Sequence, residues 1–399
     1  MITVSEAVGR ISGAFSAGPV EVVALSDAAG RVLAEDLAAR RTQPPVAVSA
    51  MDGWAVRCAD VNKAPVKLKI AGQSVAGKGF SGNVGPGHAV RIFTGAPVPD
   101  GADGIVIQED ASADPEGVIL REAPTPGRWI RAAGLDFATG KIGLTAGRRL
   151  TTRDVALAAA MNIPWLPVRR APRIALLATG DELVRPGEPL GPAQIVNSNS
   201  HGLAAMIRAW GGQPVDLGIA PDRPDILAAM AANAVGCDLL VTLGGASVGE
   251  HDLVQKVLAD GGASLDFWRI AMRPGKPLMF GRTGSGLPLL GLPGNPVSAL
   301  VCGVLFLRPA IAAMLGANEG DPTERAVLGC DLVANDSRQD YLRSKLSTDS
   351  DGRLVATPFP KQDSSMLSLL AAADCLAIRP IHAPAAKAGE PVDILRLAP

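Results

Sequence analysis

Apolar positions divide the chain into three stretches of different rhythm. Up to about residue 171 the rhythm changes often. Val4, Val8 and Ile11 fall at helical spacing behind Thr3 and Ser5, either of which can cap a helix. Short apolar runs follow, broken by Gly and Pro: Val66 to Ile70, Ala89 to Thr94, Gly104 to Gln108 and Gly117 to Leu120. They predict a small antiparallel β module. Thr152 to Met161 returns to helical spacing.

From about 172 to 316 near-continuous apolar runs alternate with helical segments. The runs are Arg173 to Ala178, Val215 to Ala220, Asp238 to Leu243 and Leu287 to Leu292. Ser200 to Trp210, Asp225 to Val235, Asp252 to Asp260 and Pro296 to Leu315 read as helices. This alternation predicts a parallel sheet covered on both faces. Pro288 has no N–H to give, so it belongs at an edge or at the first residue of its strand. From about 317 to 399 the runs shorten again: Arg325 to Leu332, Tyr341 to Leu346, Arg353 to Thr357, Asp374 to Arg379 and Pro391 to Leu397. These predict a small β-barrel or sandwich.

Composition narrows the function. The 399 residues are 47% hydrophobic and 19% charged, which supports roughly two to four packed domains and excludes disorder as the main state. Lys and Arg number 38 against 39 Asp and Glu, so no basic excess exists to neutralise a nucleic-acid backbone. A single Tyr and 4% aromatics argue against base-stacking platforms. Five scattered Cys form no CxxC and four His form no HExxH, which argues against zinc and for reduced thiols in the cytoplasm. The first residues lack the pattern of a signal peptide. No apolar stretch near 18 residues is expected, since Val297 to Leu307 is too short to span a membrane.

The chemistry collects where the middle strands end. Thr179-Gly180-Asp181-Glu182 follows the first, Pro221-Asp222 the second, Gly244 to Asp252 the third and Pro293-Gly294-Asn295-Pro296 the fourth. If the strands are parallel, all four loops share one carboxyl edge, where open α/β sheets bind ligands. The Gly244 to Gly249 loop reads as an anion cradle or as a tight strand-to-helix turn. It lacks the Gly-Lys-Ser/Thr end of a P-loop and the GxGxxG of a dinucleotide fold. Asp181, Glu182, Asp222 and Asp252 suit Mg²⁺ beside a phosphate, or cap helices singly. Arg269, Arg273 and Lys276 sit in a Pro/Gly-stiffened turn that suits a dianion or a solvated hairpin. By composition alone, Ser49 to Ala55 and Thr94 to Asp103 are ordinary turns.

Six motifs in order carry a resemblance. They are Ser-Ala-Met-Asp-Gly-Trp-Ala (49–55), Thr-Gly-Ala-Pro-Val-Pro (94–99), Thr-Gly-Asp-Glu-Leu (179–183), Gly-Gly-Ala-Ser-Val-Gly-Glu (244–250), Arg-Pro-Gly-Lys-Pro (273–277) and Gly-Leu-Pro-Gly-Asn-Pro-Val-Ser-Ala (291–299). Over nearly its whole length the chain resembles the molybdopterin molybdenumtransferases, the MoeA family related to the gephyrin E domain. The resemblance implies a multidomain α/β fold. Residues 1–171 would form a segmented N-terminal region with an inserted β domain at roughly 46–131. Residues 172–316 would form a MogA/MoaB-like molybdopterin-binding domain, and 317–399 a small β-barrel. It also implies an elongated homodimer whose cleft lies between the middle domain of one subunit and the N-terminal part of the other.

The implied reaction converts adenylyl-molybdopterin and molybdate to molybdenum cofactor and AMP, with Mg²⁺. Glu182, Asp222 and Asp252 match acidic positions important for activity and are the implied Mg²⁺ ligands. With Asp52, Arg269 and Arg273 they make up the implied catalytic set. Asp52, Thr94, Arg131 and Asp136 match cleft positions. Thr179, Gly180, Asp181, Gly244, Gly245, Ser247, Gly249, Lys276, Pro293, Asn295 and Ser298 lie in the substrate-binding motifs. Arg269 and Arg273 stand where the family often has Lys, a change that keeps charge but alters oxyanion geometry. Ala246, Arg223, Ala132 and Ala133 also depart from the common pattern. Molybdenum would be held by the pterin dithiolene, so no protein Cys is needed. Implied partners are a second copy, a MogA-type adenylyltransferase and cofactor-accepting molybdoenzymes. Two alternatives stay open: a molybdopterin adenylyltransferase, and a non-catalytic dimeric scaffold like gephyrin.

Overall fold

Ile174, Ala175, Leu176, Leu177 and Ala178 are all fully buried, as a strand covered on both faces must be. A computed structural model, which describes residues 1–244, 257 and 260–397, sets this strand, Arg173–Thr179, inside a six-stranded sheet. Gln213–Ala220 and Leu239–Leu243 flank it in parallel, and Pro288–Leu292 runs parallel beside Leu239–Leu243. Pro288 is the first residue of its strand.

Two further strands, absent from the sequence expectation, complete the sheet. Pro277–Arg282 is antiparallel to Pro288–Leu292, and Ser264–Arg269 is antiparallel to Pro277–Arg282 at the edge. The end of Ser264–Arg269 and the start of Pro277–Arg282 therefore meet at the carboxyl edge of the parallel strands. The two faces alternate along Arg173–Thr179. Ile174, Leu176 and Ala178 join the core with Leu203, Ile207 and Phe306. Ala175 and Leu177 join that with Leu227 and Leu240.

Among the described residues, the helices covering the sheet are Asn199–Ala209, Pro224–Ala232 and a long composite. The composite runs from Pro296–Cys302 through a widened turn at Gly303–Leu307 to Arg308–Met314. This corrects the expectation of no apolar stretch near 18 residues: Pro296–Met314 is 19 residues long and apolar enough to cross a membrane, and 67% of its apolar 18-residue window is buried inside the protein. The widened turn carries the helix past Pro309, which has no N–H to donate. Leu305, Phe306, Ile311 and Met314 make it a core helix of the middle domain.

The first helix, Val4–Gly13, is capped by Thr3, whose Oγ1 accepts from the Glu6 amide at 3.2 Å. Val4, Ala7 and Ile11 pack into the same core as Ile311 and Met314. The chain then forms a ribbon, Val20–Ala24 with Trp165–Arg169. A helix, Thr152–Ala160, begins at a capping box of Thr151 and Asp154. Between them lies a six-stranded β module in the order Gly104–Ile107, Gly53–Val56, His88–Ile92, Val66–Ser74, Gly117–Leu120, Ala111–Asp114. It is antiparallel except where Val66–Ser74 meets His88–Ile92, because the connection over 75–87 returns the chain to the starting end.

Residues beyond 322 form a closed five-stranded barrel. Its strands are Thr323–Leu328, Gln339–Thr348, Leu354–Pro358, Cys375–Arg379 and Pro391–Arg396. Gln339–Thr348 pairs with both Leu354–Pro358 and Cys375–Arg379, which closes the circle. The short strand Met272–Arg273 joins this barrel in parallel at Gln339.

Candidate functional site

The carboxyl edge of the middle sheet is built from interlocked loops. Thr179 is 7% exposed, and its hydroxyl donates to the Leu243 carbonyl at 3.4 Å. Gly180 donates its amide to the Ala220 carbonyl at 3.2 Å. The Asp222 amide donates to Asp181 Oδ1 at 3.0 Å, tying the first loop to the second. Gly244 donates to the Leu292 carbonyl at 3.2 Å, tying the third to the fourth. Gly244 must be glycine: its φ is +92°, and a Cβ there would lie 2.8 Å from the Thr179 carbonyl oxygen. Gly294 lies beside it, its Cβ direction ending 3.6 Å from the Gly244 α-carbon.

The acidic side lies at one flank. Glu182 folds its carboxylate back over Gly180, and both Glu182 and Asp222 are exposed. Neither carboxylate accepts a hydrogen bond or ion pair among the described residues. No group of three His, Cys, Asp or Glu side chains comes together among them either. Asp252, the third carboxylate in the sequence expectation, lies outside the described residues, as do Gly245, Ser247 and Gly249.

The basic side lies at the other flank, in the connection between Ser264–Arg269 and Pro277–Arg282. Ile270 and Met272 are fully buried anchors, while Arg269 and Lys276 are exposed. Gly275, at φ +106°, lies against Cys302 with no room for a Cβ. Arg273 turns away to the barrel. Its Nε donates to Asp340 Oδ1 at 2.9 Å, and its Nη2 donates to Asp340 Oδ2. Nη1 reaches Asp336 at 3.3 Å. Its pKa is pushed above the usual range, chiefly by the hydrogen bond to Asp340. The barrel also touches the fourth loop, where Asn295 Nδ2 donates to Ser364 Oγ at 3.1 Å. Pro293 at the start of that loop and Ser298 just after it are buried.

Sequence reasoning missed Asn197 and Asn199. Asn197 is buried and donates to Ser200 Oγ at 2.9 Å. Asn199 donates to the Gly294 carbonyl at 2.7 Å, and its Oδ1 finds no partner among the described residues. The run Asn-Ser-Asn-Ser reads as plain capping before a helix. Two amides in four residues at a strand-to-helix corner were the available signal.

A second set of residues lies on the β module. Asp52 Oδ1 accepts from both the Thr94 amide and the Thr94 hydroxyl, each at 2.7 Å. These bonds hold the Asp52 carboxyl below the usual range, with Arg91 nearby adding to the effect. Arg91 stacks over Trp54 and Phe93 at 5.3 and 5.1 Å. Arg131 and Asp136 line one cleft of about 630 Å³ together with Arg41 and Gly95. Within one chain, no hydrogen bond or ion pair among the described residues joins this set to the middle-domain edge.

Three family profiles match in order. "MoeA N-terminal region (domain I and II)" covers residues 2–162, "Probable molybdopterin binding domain" 175–313, and "MoeA C-terminal region (domain IV)" 325–397. A protein of Nostoc sp. named molybdopterin molybdenumtransferase is 35% identical over 386 residues, covering 94% of this chain and 88% of the relative. The chain belongs to the MoeA family. A molybdopterin molybdenumtransferase of Haemophilus influenzae is 34% identical over 94% of this chain and 93% of its own. The crystal structure of a molybdopterin biosynthesis MoeA protein from Pyrococcus horikosii matches with a TM-score of 0.85 at 30% identity, over 100% of both chains. The MoeA fold thus runs through all three parts, with the MogA-like sheet in the middle and the closed barrel at the end.

Proposed function

We propose that this MoeA-family chain is a transferase that inserts molybdenum into molybdopterin, converting adenylyl-molybdopterin and molybdate to molybdenum cofactor and AMP. The observation that carries the reading is that the described residues of the family motifs fall on two surfaces: 179–183, Gly244, 273–277 and 291–299 at the carboxyl edge, and 49–55 and 94–99 on the β module. Whole-chain relatives named molybdopterin molybdenumtransferase support the activity. They do not favour an adenylyltransferase or a scaffold.

The edge suits an anionic substrate that carries a pyrophosphate. Gly244 lets the backbone approach a phosphate without a side chain in the way. Arg269 and Lys276 present positive charge to molybdate or to the anionic side of the pterin. Asp181 fixes the second loop through the Asp222 amide and so sets where the Asp222 carboxylate stands.

Mg²⁺ fits the donor set. It takes few protein carboxylates and keeps several waters, and Glu182 and Asp222 are water-accessible carboxylates of that kind. These two, with Asp252, would hold it. When bound, it neutralises charge at the phosphoanhydride. The residues of the chain orient the substrate, and the attacking oxygen comes from molybdate or a water beside it.

A second copy completes the site in this reading, bringing Asp52, Thr94, Arg131 and Asp136 to the edge of its partner. A MogA-type enzyme would supply the adenylylated pterin, and molybdoenzymes would take the product. Five unpaired cysteines suit a reducing, cytoplasmic setting. The reading is tested by incubating the protein with adenylyl-molybdopterin, molybdate and Mg²⁺, then adding a molybdenum-free molybdoenzyme. Recovery of that enzyme's activity supports the reading, and none overturns it.

A further inference from the structure

The cation-bearing hairpin between Arg269 and Pro277 is held from three sides. The Ile2 amide donates to the Arg269 carbonyl at 3.2 Å, and the Ala271 amide donates back to Ile2 at 2.9 Å. Ile270 and Met272 fill the middle-domain core. The third hold comes from the barrel. The Gln339 amide donates to the Ala271 carbonyl at 2.9 Å, and Met272–Arg273 pairs with Gln339 and Asp340.

Asp340 closes that third hold. It is 6% exposed, so its carboxylate meets little water, and the guanidinium of Arg273 grips both of its oxygens. A buried carboxylate without a cation would be strongly disfavoured, so the pair is obligatory to this conformation. Asp336 and Asn335 take up the remaining guanidinium edge. Asn335 is itself fixed, its Nδ2 donating to the carbonyls of Arg338, Arg379 and Pro380. The Arg273 guanidinium is thus occupied by a rigid acidic socket on a different domain, and its charge is answered there.

We infer that Asp340 is a positioning residue for the reaction, acting through Arg273 to lock the hairpin so that Arg269 and Lys276 face the carboxyl edge. The C-terminal barrel is then the frame against which the anion-binding side is set. The inference rests on the proposed molybdenum insertion, and it deepens that reading by giving Arg273 the part of a strap and leaving Arg269 and Lys276 to meet the substrate. Arg's planar fork suits the strap, because it meets both carboxylate oxygens at once where a Lys meets one.

The experiment uses the full-length protein and measures AMP release from adenylyl-molybdopterin as a function of molybdate. The variants are Asp340→Ala, Asp340→Asn, Arg273→Ala, the double Arg273→Ala/Asp340→Ala, and Glu324→Gln. The last breaks another carboxylate–Arg pair of the barrel, Glu324 with Arg396, far along the chain from the hairpin. Asp340→Ala is expected to raise KM for molybdate at least about tenfold and to lower kcat much less, since loosened cations weaken binding before chemistry. Arg273→Ala should do the same, and the double variant should be no worse than either single one. Glu324→Gln should match the unchanged protein. Asp340→Asn keeps the shape of the socket and checks folding. It should unfold within a few degrees of the unchanged protein and raise KM less than Asp340→Ala.

Three results overturn the inference. One is an unchanged KM in Asp340→Ala. Another is additive effects of the Arg273 and Asp340 variants. The third is a fall in kcat at constant KM that tracks lost thermal stability across all variants. If the unchanged protein itself shows no molybdate-dependent release, the proposed function fails instead, which is a separate outcome.

Discussion

Asp52 and Thr94 form a closed pair: one carboxylate oxygen receives both the amide and the hydroxyl of Thr94, each at 2.7 Å. The two residues are 42 apart in the chain, and each sits in a turn that composition alone marks as ordinary. The pair joins the Ser49 to Ala55 loop to the Thr94 to Pro99 loop, so two sequence motifs become one surface.

The pair predicts a pH signature. Both bonds favour the ionised carboxylate, so the Asp52 pKa in the folded protein lies below its ordinary value of 3.8. A lowered pKa stabilises the folded state above that ordinary value, and the contribution is lost as pH falls toward the lowered one. Thr94→Ala leaves one of the two bonds. The Asp52 titration, followed by carbon NMR of the carboxyl, should move upward toward 3.8. An unmoved midpoint contradicts a contribution of the Thr94 hydroxyl to the shift. Asp52→Asn should lower turnover by about a hundredfold or more if the ionised group is required.

Gly244 predicts a sharp substitution effect. Gly244→Ala forces a Cβ to within 2.8 Å of the Thr179 carbonyl at a φ of +92°. The strain should cost about 1–3 kcal/mol of stability, and the distorted edge should bind adenylyl-molybdopterin at least about tenfold more weakly. Calorimetry of the variant checks both. Normal affinity would remove Gly244 from the cradle.

The carboxylates predict a metal dependence. Asp222→Asn and Glu182→Gln should each raise the Mg²⁺ concentration needed for half-maximal AMP release by about tenfold, without loss of fold. A Mg²⁺ titration of each variant is the check. Unshifted curves would make these residues something other than metal ligands.

The separation of the two residue sets predicts complementation. At Mg²⁺ well below the half-maximal concentration of Asp222→Asn, the Asp52→Asn and Asp222→Asn variants should each be strongly impaired alone. If two subunits share each cleft, a mixed dimer holds one intact site, so an equal mixture should recover roughly a quarter of the activity. No recovery after subunit exchange would mean that one chain builds its site alone.

Much of this was legible in the sequence. The runs Arg173 to Ala178 and Asp238 to Leu243 are apolar at nearly every position that the sheet buries, so continuous hydrophobicity marks them as parallel strands. Ser264–Arg269 was not legible, because its burial alternates at a sheet edge and its sequence mixes Ser, Asp, Trp and Arg. The helix over Pro296–Met314 was legible at its full length despite Gly303 and Pro309; only the length of its apolar stretch was underestimated. For the proposed site, motif order singled out Asp52, Glu182 and Lys276 as candidates. It gave no hint that Arg273 faces the barrel, because its partner Asp340 lies 67 residues away in a different domain. Long-range pairing of that kind leaves no local pattern. Asn199 escaped for the opposite reason: its local pattern is that of an everyday helix start.

The most direct test of the account is AMP release from adenylyl-molybdopterin in Mg²⁺, with and without molybdate, by the unchanged protein and by Asp222→Asn. The account predicts rapid release only when molybdate is present, together with active cofactor, and a large loss in the variant. Release that ignores molybdate, or tight binding with no release at all, would contradict it.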